Sequence, residues 1–427
     1  MSVSRSLSEL AALIQSHSAS IVNTLESHGH PQPSFTVGSP LVLPLSPEVE
    51  DTRDELVEAL DELRALVLGP MGHLFSMLLP LPATNATMHA LYRFRIPQQL
   101  GLNESVTYTT LAGRCGLPED DLRRLLRMAI SLRLFSEDPS TGLVHHTAAS
   151  SVFAALPPTH DFLGMLVEEM NPASVKMVET LARFGGSQEP SDSAASVAMG
   201  TEGRLDFYAA IAGDEERVRR VASGMSLATR LPSHAVAHFV DNCGWDREGS
   251  CPKSIVDIGG SEGELCKALL EKYQGIREAV SLDRAEVING VLVPEGLKGR
   301  LRLAPYDFFK EQSVVMGADV YLFRNCFHNW SDKYAVRMLR NQIPALKKGS
   351  RVFVNEACMP EPGSVGLVKG QVAWGSDLIM KMTFNGKDRN RTDWVNLFKE
   401  ADQRFRIISI DTPPRSALAI IEVVWEG

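Results

Sequence analysis

The run Ser254-Ile-Val-Asp-Ile258 leads straight into Gly259-Gly-Ser-Glu-Gly263, and a helical pattern starts at Glu264. Glycines tolerate positive φ and carry no Cβ, so backbone N–H groups at such a turn approach a ligand closely. No Gly-Lys-Ser/Thr follows, which excludes a triphosphate loop. About 20 residues past such a turn, an acid at the end of the second strand can accept both ribose hydroxyls of a nucleoside lying across the sheet. Asp283 stands there. In the next loop, Asp307 and Phe308 offer a carboxylate and a ring for an adenine, or else a turn cap and a core side chain. His328, in Arg324-Asn-Cys-Phe-His-Asn-Trp-Ser-Asp332, follows the fourth strand. It is therefore placed opposite the glycine loop, where an imidazole can take a proton from a substrate hydroxyl near its own intrinsic pKa. Glu356, ending the fifth strand, and Asp388, in the loop Asn385-Gly-Lys-Asp-Arg389, are both candidates to accept from its other ring nitrogen. Several nucleoside cofactors share these features, so the residues alone do not choose among them.

The elements that must position these groups alternate. Strand-like runs at Ile255–Ile258, Ala279–Asp283, residues 300–304, Ala318–Phe323 and Arg351–Asn355 are each followed by a loop or helical stretch, as βα units of a parallel, doubly wound sheet require. Ser331 or Asp332 is expected to cap a helix over residues 333–346. The chain ends in Phe405–Ile410, a turn at Thr412-Pro-Pro, and residues 417–425, expected to pair as an antiparallel hairpin. The first half reads as almost all helix. Residues 7–25 and 51–67 carry apolar faces at helical spacing that must pack on something. Residues 107–147 suggest helix, turn, helix and β-wing. Arg123, Arg124 and Arg127 on the second of those helices raise DNA binding, but Glu119, Asp120 and Asp121 precede them and favour a structural role. The expected division is residues 1–47 as an N-terminal helix and linker, 48–235 as a helical dimerisation domain containing a winged helix, and 236–427 as the Rossmann-like α/β domain.

With 427 residues, 44% hydrophobic and 22% charged, the composition is that of an ordinary globular chain. A net charge of -9 disfavours nucleic acid as the main partner. Apolar stretches such as Met77–Leu81 and Ala417–Ile421 fall short of the ~20 residues of a membrane span, so no membrane partner is expected. Six cysteines without C-x-x-C spacing indicate neither a zinc site nor a disulfide framework but reduced thiols in a cytoplasmic protein.

From about Glu48 onward the chain resembles the class I S-adenosylmethionine-dependent O-methyltransferases of the caffeate/flavonoid type, and most closely their fungal secondary-metabolite members. The markers are Val256-Asp-Ile-Gly-Gly-Ser-Glu-Gly263, Asp283, Asp307-Phe308, Arg324 with His328-Asn-Trp-Ser-Asp332, Glu356, and Asn385-Gly-Lys-Asp-Arg389 with Trp394. The resemblance implies S-adenosyl-L-methionine as cofactor, contacted by Gly259, Gly260, Asp283, Asp307, Phe308 and Arg324. It implies His328 as general base flanked by Glu356 and Asp388, and a homodimer in which the helical half closes the partner's pocket. Met165, Met170, Trp374, Met380 and Phe384 fall in segments that line the family's acceptor pocket and imply a bulky, flat or greasy small molecule such as a polyketide, phenolic or alkaloid. Two departures stand out: Asn329 and Asp388 replace the usual Asp and Glu, and the shorter Asp388 is expected to hold His328 less tightly. The scaffold's other known use, pericyclic catalysis with the cationic cofactor polarising a carbonyl, remains the alternative.

Overall fold

A computed structural model describes residues 5–427. The chain forms two compact units: Met1–Pro172 with Glu215–Leu227 and Pro362–Val372, and Ala173–Asp214 with Ala228–Glu361 and Ala373–Gly427.

The first unit is mainly helical. Helix Leu7–Ser27 opens with a capping box in which Ser6 and Glu9 satisfy each other's backbone N–H. Leu10 and Leu25 are buried where it packs along helix Pro47–Leu78. That second helix breaks at Gly69, whose φ of 66° precedes Pro70. Helices Tyr108–Cys115 and Glu119–Ser131 are followed by the strands Phe135–Glu137 and Val144–His146, and Ser105–Val106 adds a third strand to this sheet. On Glu119–Ser131, Arg123 pairs with Glu119 at 2.5 Å and Arg124 with Asp120 at 2.6 Å, one turn back. Those arginines are thus neutralised within their own helix.

The stretch Glu48–Arg93 corrects one expectation: by length and composition it is apolar enough to cross a membrane, and its apolar window is unburied. From Ala65 to Tyr92 there is no Asp, Glu, Lys or Arg. Glycine and proline breaks divide this run in the sequence without adding charge. Val67 is 67% and Leu79 72% exposed.

The second unit is built on seven strands: β1 Ser254–Ile258, β2 Glu278–Asp283, β3 Leu301–Pro305, β4 Val320–Arg324, β5 Arg351–Glu356, β6 Phe405–Asp411 and β7 Ala419–Trp425. Their order is β6-β7-β5-β4-β1-β2-β3, with β1 to β5 parallel and β7 antiparallel to both its neighbours, β5 and β6. Chain order reverses beside β1, whose Ile258 is level with Leu282 of β2 and Phe323 of β4. Side chains alternate between two buried layers. Val256, Val280, Phe323 and Val354 face Phe327, Trp394 and Phe398; Ile255, Ala279, Leu322 and Phe353 face Phe239, Trp245 and Leu269.

Each unit is assembled from several separate chain segments. Residues 173–214 belong with the sheet because the 187–189 segment serves its helices. Helix Asp332–Arg340 receives no side-chain cap from Ser331, whose Oγ instead donates to the Gln188 carbonyl at 2.8 Å; Gln188 Oε1 accepts from the Lys333 N–H at 2.7 Å. The helix also stops at Arg340, short of the expected 346. Residues 362–372 join the first unit, where Lys369 N–H donates to Glu58 Oε1 at 3.1 Å.

Leu322 lies on the central strand of a two-layer core, so Leu322→Ala should cost about 2–5 kcal/mol. Leu292→Ala, at an 86% exposed position, should stay within about 0.5 kcal/mol. Denaturant unfolding followed by circular dichroism compares the two, and equal losses would contradict the core assignment.

Candidate active site

Every candidate cofactor residue lies at the carboxyl edge of the parallel strands, around the reversal. The turn after β1 is fastened by the Gly259 and Gly260 N–H groups, which both donate to the Leu282 carbonyl, at 2.7 and 3.2 Å. Gly259 has φ 72°, and a Cβ there would lie 2.6 Å from Cys326 Sγ. At Gly260 a Cβ would lie 2.5 Å from Ser281 Oγ and 2.6 Å from Asp257 Oδ2, so only glycine fits. Asp283 ends β2; its Oδ2 accepts from the Ser261 N–H at 2.9 Å and its Oδ1 from the Arg284 N–H at 2.7 Å. Asp307 Oδ1 accepts from the Phe309 N–H at 2.9 Å, closing a local turn. The neighbouring Phe308 ring comes within 3.9 Å of the Cβ position of Gly259 and meets Trp330 edge-on at 6.2 Å.

Arg324, at the end of β4, donates to Asn355 Oδ1 at 3.0 Å and to the His234 carbonyl. Burial lowers its pKa against the pull of Asp257 and Glu356. Asp257 was not among the expected site residues. It is buried with Oδ1 unpartnered among the described residues, and burial raises its carboxyl to about 7 despite Arg324. The signal for it was an acid in an otherwise apolar strand. An acid at each of β1 and β2, a turn of glycines without side chains and an aromatic wall at Phe308 together fit a nucleoside with a cationic tail.

His328 sits on the one-turn helix Phe327–Asn329, with its side chain 20% exposed. Its Nδ1 is 3.4 Å from Glu356 Oε2, longer than an ordinary hydrogen bond. Glu356 Oε1 accepts from the backbone N–H groups of Cys326 and of Phe327, the latter at 2.6 Å, so the carboxyl is anchored to the turn it faces. Burial raises Glu356 to about 7, against those bonds. Burial lowers the pKa of His328; Asp388 pulls it back up and Arg389 pushes it down. Asp388, itself raised by burial, accepts from Ser376 Oγ at 3.1 Å and influences the imidazole through its charge. Between the two candidate acids the sequence left open, Glu356 is the one against Nδ1. Asn329 Oδ1 is buried without a hydrogen-bond partner among the described residues.

The expected acceptor-pocket residues are shared between the two units. Phe384 is buried, stacked on Tyr208 at 5.3 Å and edge-on to Phe207. Met380 is half-buried, and Trp374 is 40% exposed. Met165 and Met170 are buried within the first unit. Tyr208, absent from the expectation, lies outside any recognisable motif; only the fold brings it to Phe384. Among the described residues no group of acidic, histidine and cysteine side chains is arranged to hold a metal.

The O-methyltransferase domain family matches residues 192–404. The O-methyltransferase kk1A of Curvularia clavata is 33% identical over 98% of this chain and 97% of its own. The chain belongs to the S-adenosylmethionine-dependent O-methyltransferases. Two solved structures share the fold: OxaC bound to sinefungin and meleagrin, with TM-score 0.73 and 17% identity over 97% of this chain and 99% of that one, and LepI in complex with SAM, with TM-score 0.70 and 19% identity over 98% and 100%. The cofactor of this methyltransferase is accordingly S-adenosyl-L-methionine, and its relatives are enzymes of fungal secondary metabolism.

Asp257 gives a pH prediction for the cofactor-free protein. Its folded pKa is raised, so its neutral form contributes stability below pH ~4 that is lost as pH rises through about 7. Asp257→Asn should therefore flatten the fall in melting temperature between pH 4 and 7. An unchanged slope in a melting series would contradict it. Asp283→Ala should weaken S-adenosylhomocysteine binding by about 1–3 kcal/mol in calorimetry, the cost of leaving hydrogen-bond donors unpaired.

Proposed function

We propose that His328 is the general base for methyl transfer to a hydroxyl of a secondary metabolite, a polyketide, phenolic or alkaloid. The observation that carries this reading is the imidazole held at the sheet's carboxyl edge with Glu356 Oε2 behind Nδ1. With Nδ1 turned to the carboxyl, Nε2 is the nitrogen left for the acceptor. Burial keeps the ring neutral and so able to take a proton at neutral pH. The imidazolium formed is stabilised by the Glu356 carboxylate and, at longer range, by Asp388. When bound, S-adenosylmethionine supplies an electrophilic methyl carbon; the protein's share is to align the acceptor and remove its proton. We assign Gly259, Gly260 and Arg324 to the cofactor's amino-acid end, Asp283 to its ribose, and Asp307 and Phe308 to its adenine. Phe384 and Met380, with the Tyr208 ring, are the groups we assign to a flat acceptor.

We further propose a homodimer through the first unit. The uncharged run from Ala65 to Tyr92, with Val67, Met71 and Leu79 exposed, is more contiguous apolar surface than a monomer ordinarily leaves in water. A second copy is the occupant we assign to it. A reducing, cytoplasmic location is our reading of the six free thiols.

His328→Ala should lower turnover by about 10²–10⁴ with cofactor affinity nearly unchanged. Glu356→Gln, which keeps an acceptor for the two N–H groups, should lower it less. The assay is incubation with methyl-labelled cofactor and a metabolite extract. Product formed without label transfer would replace methylation by a pericyclic reaction on the same scaffold. Light scattering should report twice the chain mass. A monomer that floats with lipid vesicles would assign the apolar run to a membrane instead.

A further inference from the structure

Arg389 is fully buried on the loop that carries Asp388, and the reading above gives it no part. Its guanidinium spreads across the turn that bears His328. Nη1 donates to the carbonyls of Phe327 at 3.1 Å and Lys387 at 3.2 Å, Nη2 to the carbonyl of Trp330 at 2.9 Å, and Nε to Asp332 Oδ1 at 2.9 Å. Phe327 and Trp330 stand on either side of the histidine, so one rigid planar group holds both ends of its turn. The same loop grips the turn through its backbone. Lys387 N–H donates to the His328 carbonyl at 3.0 Å. Gly386 passes so close that a Cβ there would lie 2.2 Å from that oxygen and 2.8 Å from the Asn329 carbonyl carbon.

We propose that Arg389 is the positioning residue for His328, fastening the histidine's turn to the Gly386–Arg389 loop so that the imidazole is held against Glu356 and within the field of Asp388. This rests on His328 being the base. Four charged or titratable groups face the ring: Glu356 from β5, Asp388 and Arg389 from the loop, and His234 from the turn Pro232–His234. Asp388 favours the imidazolium. Arg389 opposes it, and so leaves the ring free to accept a proton. A lysine in its place would keep the charge, yet its single ammonium cannot reproduce a fork aimed at three carbonyls and a carboxylate.

The test uses the full-length protein with ¹³C-labelled imidazoles, the His328 resonance being assigned by its loss in His328→Ala. In Arg389→Met the NMR titration midpoint of His328 should rise by roughly one pH unit. Turnover on the acceptor identified by label transfer should fall about tenfold or more, as expected when a reacting group loses its alignment. Arg389→Lys should restore the midpoint but not the turnover. In both variants S-adenosylhomocysteine affinity should stay within about twofold of the parent, because the cofactor residues lie on other strands. An unmoved midpoint in folded Arg389→Met, or parental turnover in Arg389→Lys, would overturn the proposal.

Should Arg389→Met not fold, Gly386→Ala carries the test by pushing the loop off the His328 carbonyl from the other side. It should lower turnover with cofactor affinity kept, and parental turnover would count against the clamp. The two readings fail separately: parental turnover in His328→Ala would remove the base assignment, whereas the NMR midpoint still decides whether Arg389 acts on the ring.

Discussion

The reversal of strand order at β1 is the constraint on which the site depends. Because β1 is flanked by β2 on one side and β4 on the other, the loops leaving these strands diverge and open a crevice at their carboxyl edge. The Leu282 carbonyl, accepting from both Gly259 and Gly260, fastens the first loop to β2. A side chain at Gly260 would collide with Ser281 and Asp257, and one at Gly259 with Cys326. The glycines therefore meet the demand of close packing onto the sheet beneath.

Around this crevice the chain buries acids that a core would ordinarily exclude. Taking a carboxylate out of water is unfavourable unless hydrogen bonds or charges replace the lost hydration, and otherwise the group holds its proton. Glu356 has two backbone donors for one oxygen, while its other oxygen is turned toward His328. Among the described residues, Asp257 retains an oxygen with no partner. Both carboxyls are raised to about 7 by burial. Incomplete satisfaction of buried polar groups concentrates where a fold serves chemistry rather than stability, which matches their place beside the glycine turn and the histidine.

The second structural theme is how a short turn is kept still. His328 is on a single helical turn, too short to hold itself. Its neighbours supply the rigidity: the Glu356 carboxyl below, the Gly386–Arg389 loop beside it, and residues 187–189 on the helix that follows. The shorter acid at position 388 fits this arrangement. Asp388 reaches Ser376 rather than the imidazole, and contact with Nδ1 falls to Glu356.

Local pattern was enough for the alternation of strands and helices in residues 254–425, the glycine turn, the acids closing β2 and β5, and the place of His328. These follow from side-chain period, Cβ-free turns and the ends of buried strands, all properties of consecutive residues. Tertiary structure decided what depends on groups distant in the chain. Gln188 caps a helix that begins at Asp332; residues 173–214 join the sheet; Tyr208 finds Phe384; Arg389 clamps the turn of His328. It also decided between Glu356 and Asp388, because which carboxyl meets Nδ1 turns on ångström distances between separate loops. The uncharged run from Ala65 to Tyr92 was visible in the sequence throughout, yet its prolines and glycines disguised it as several short pieces, and only the structure showed how many of its apolar side chains, Val67, Met71 and Leu79 among them, are exposed.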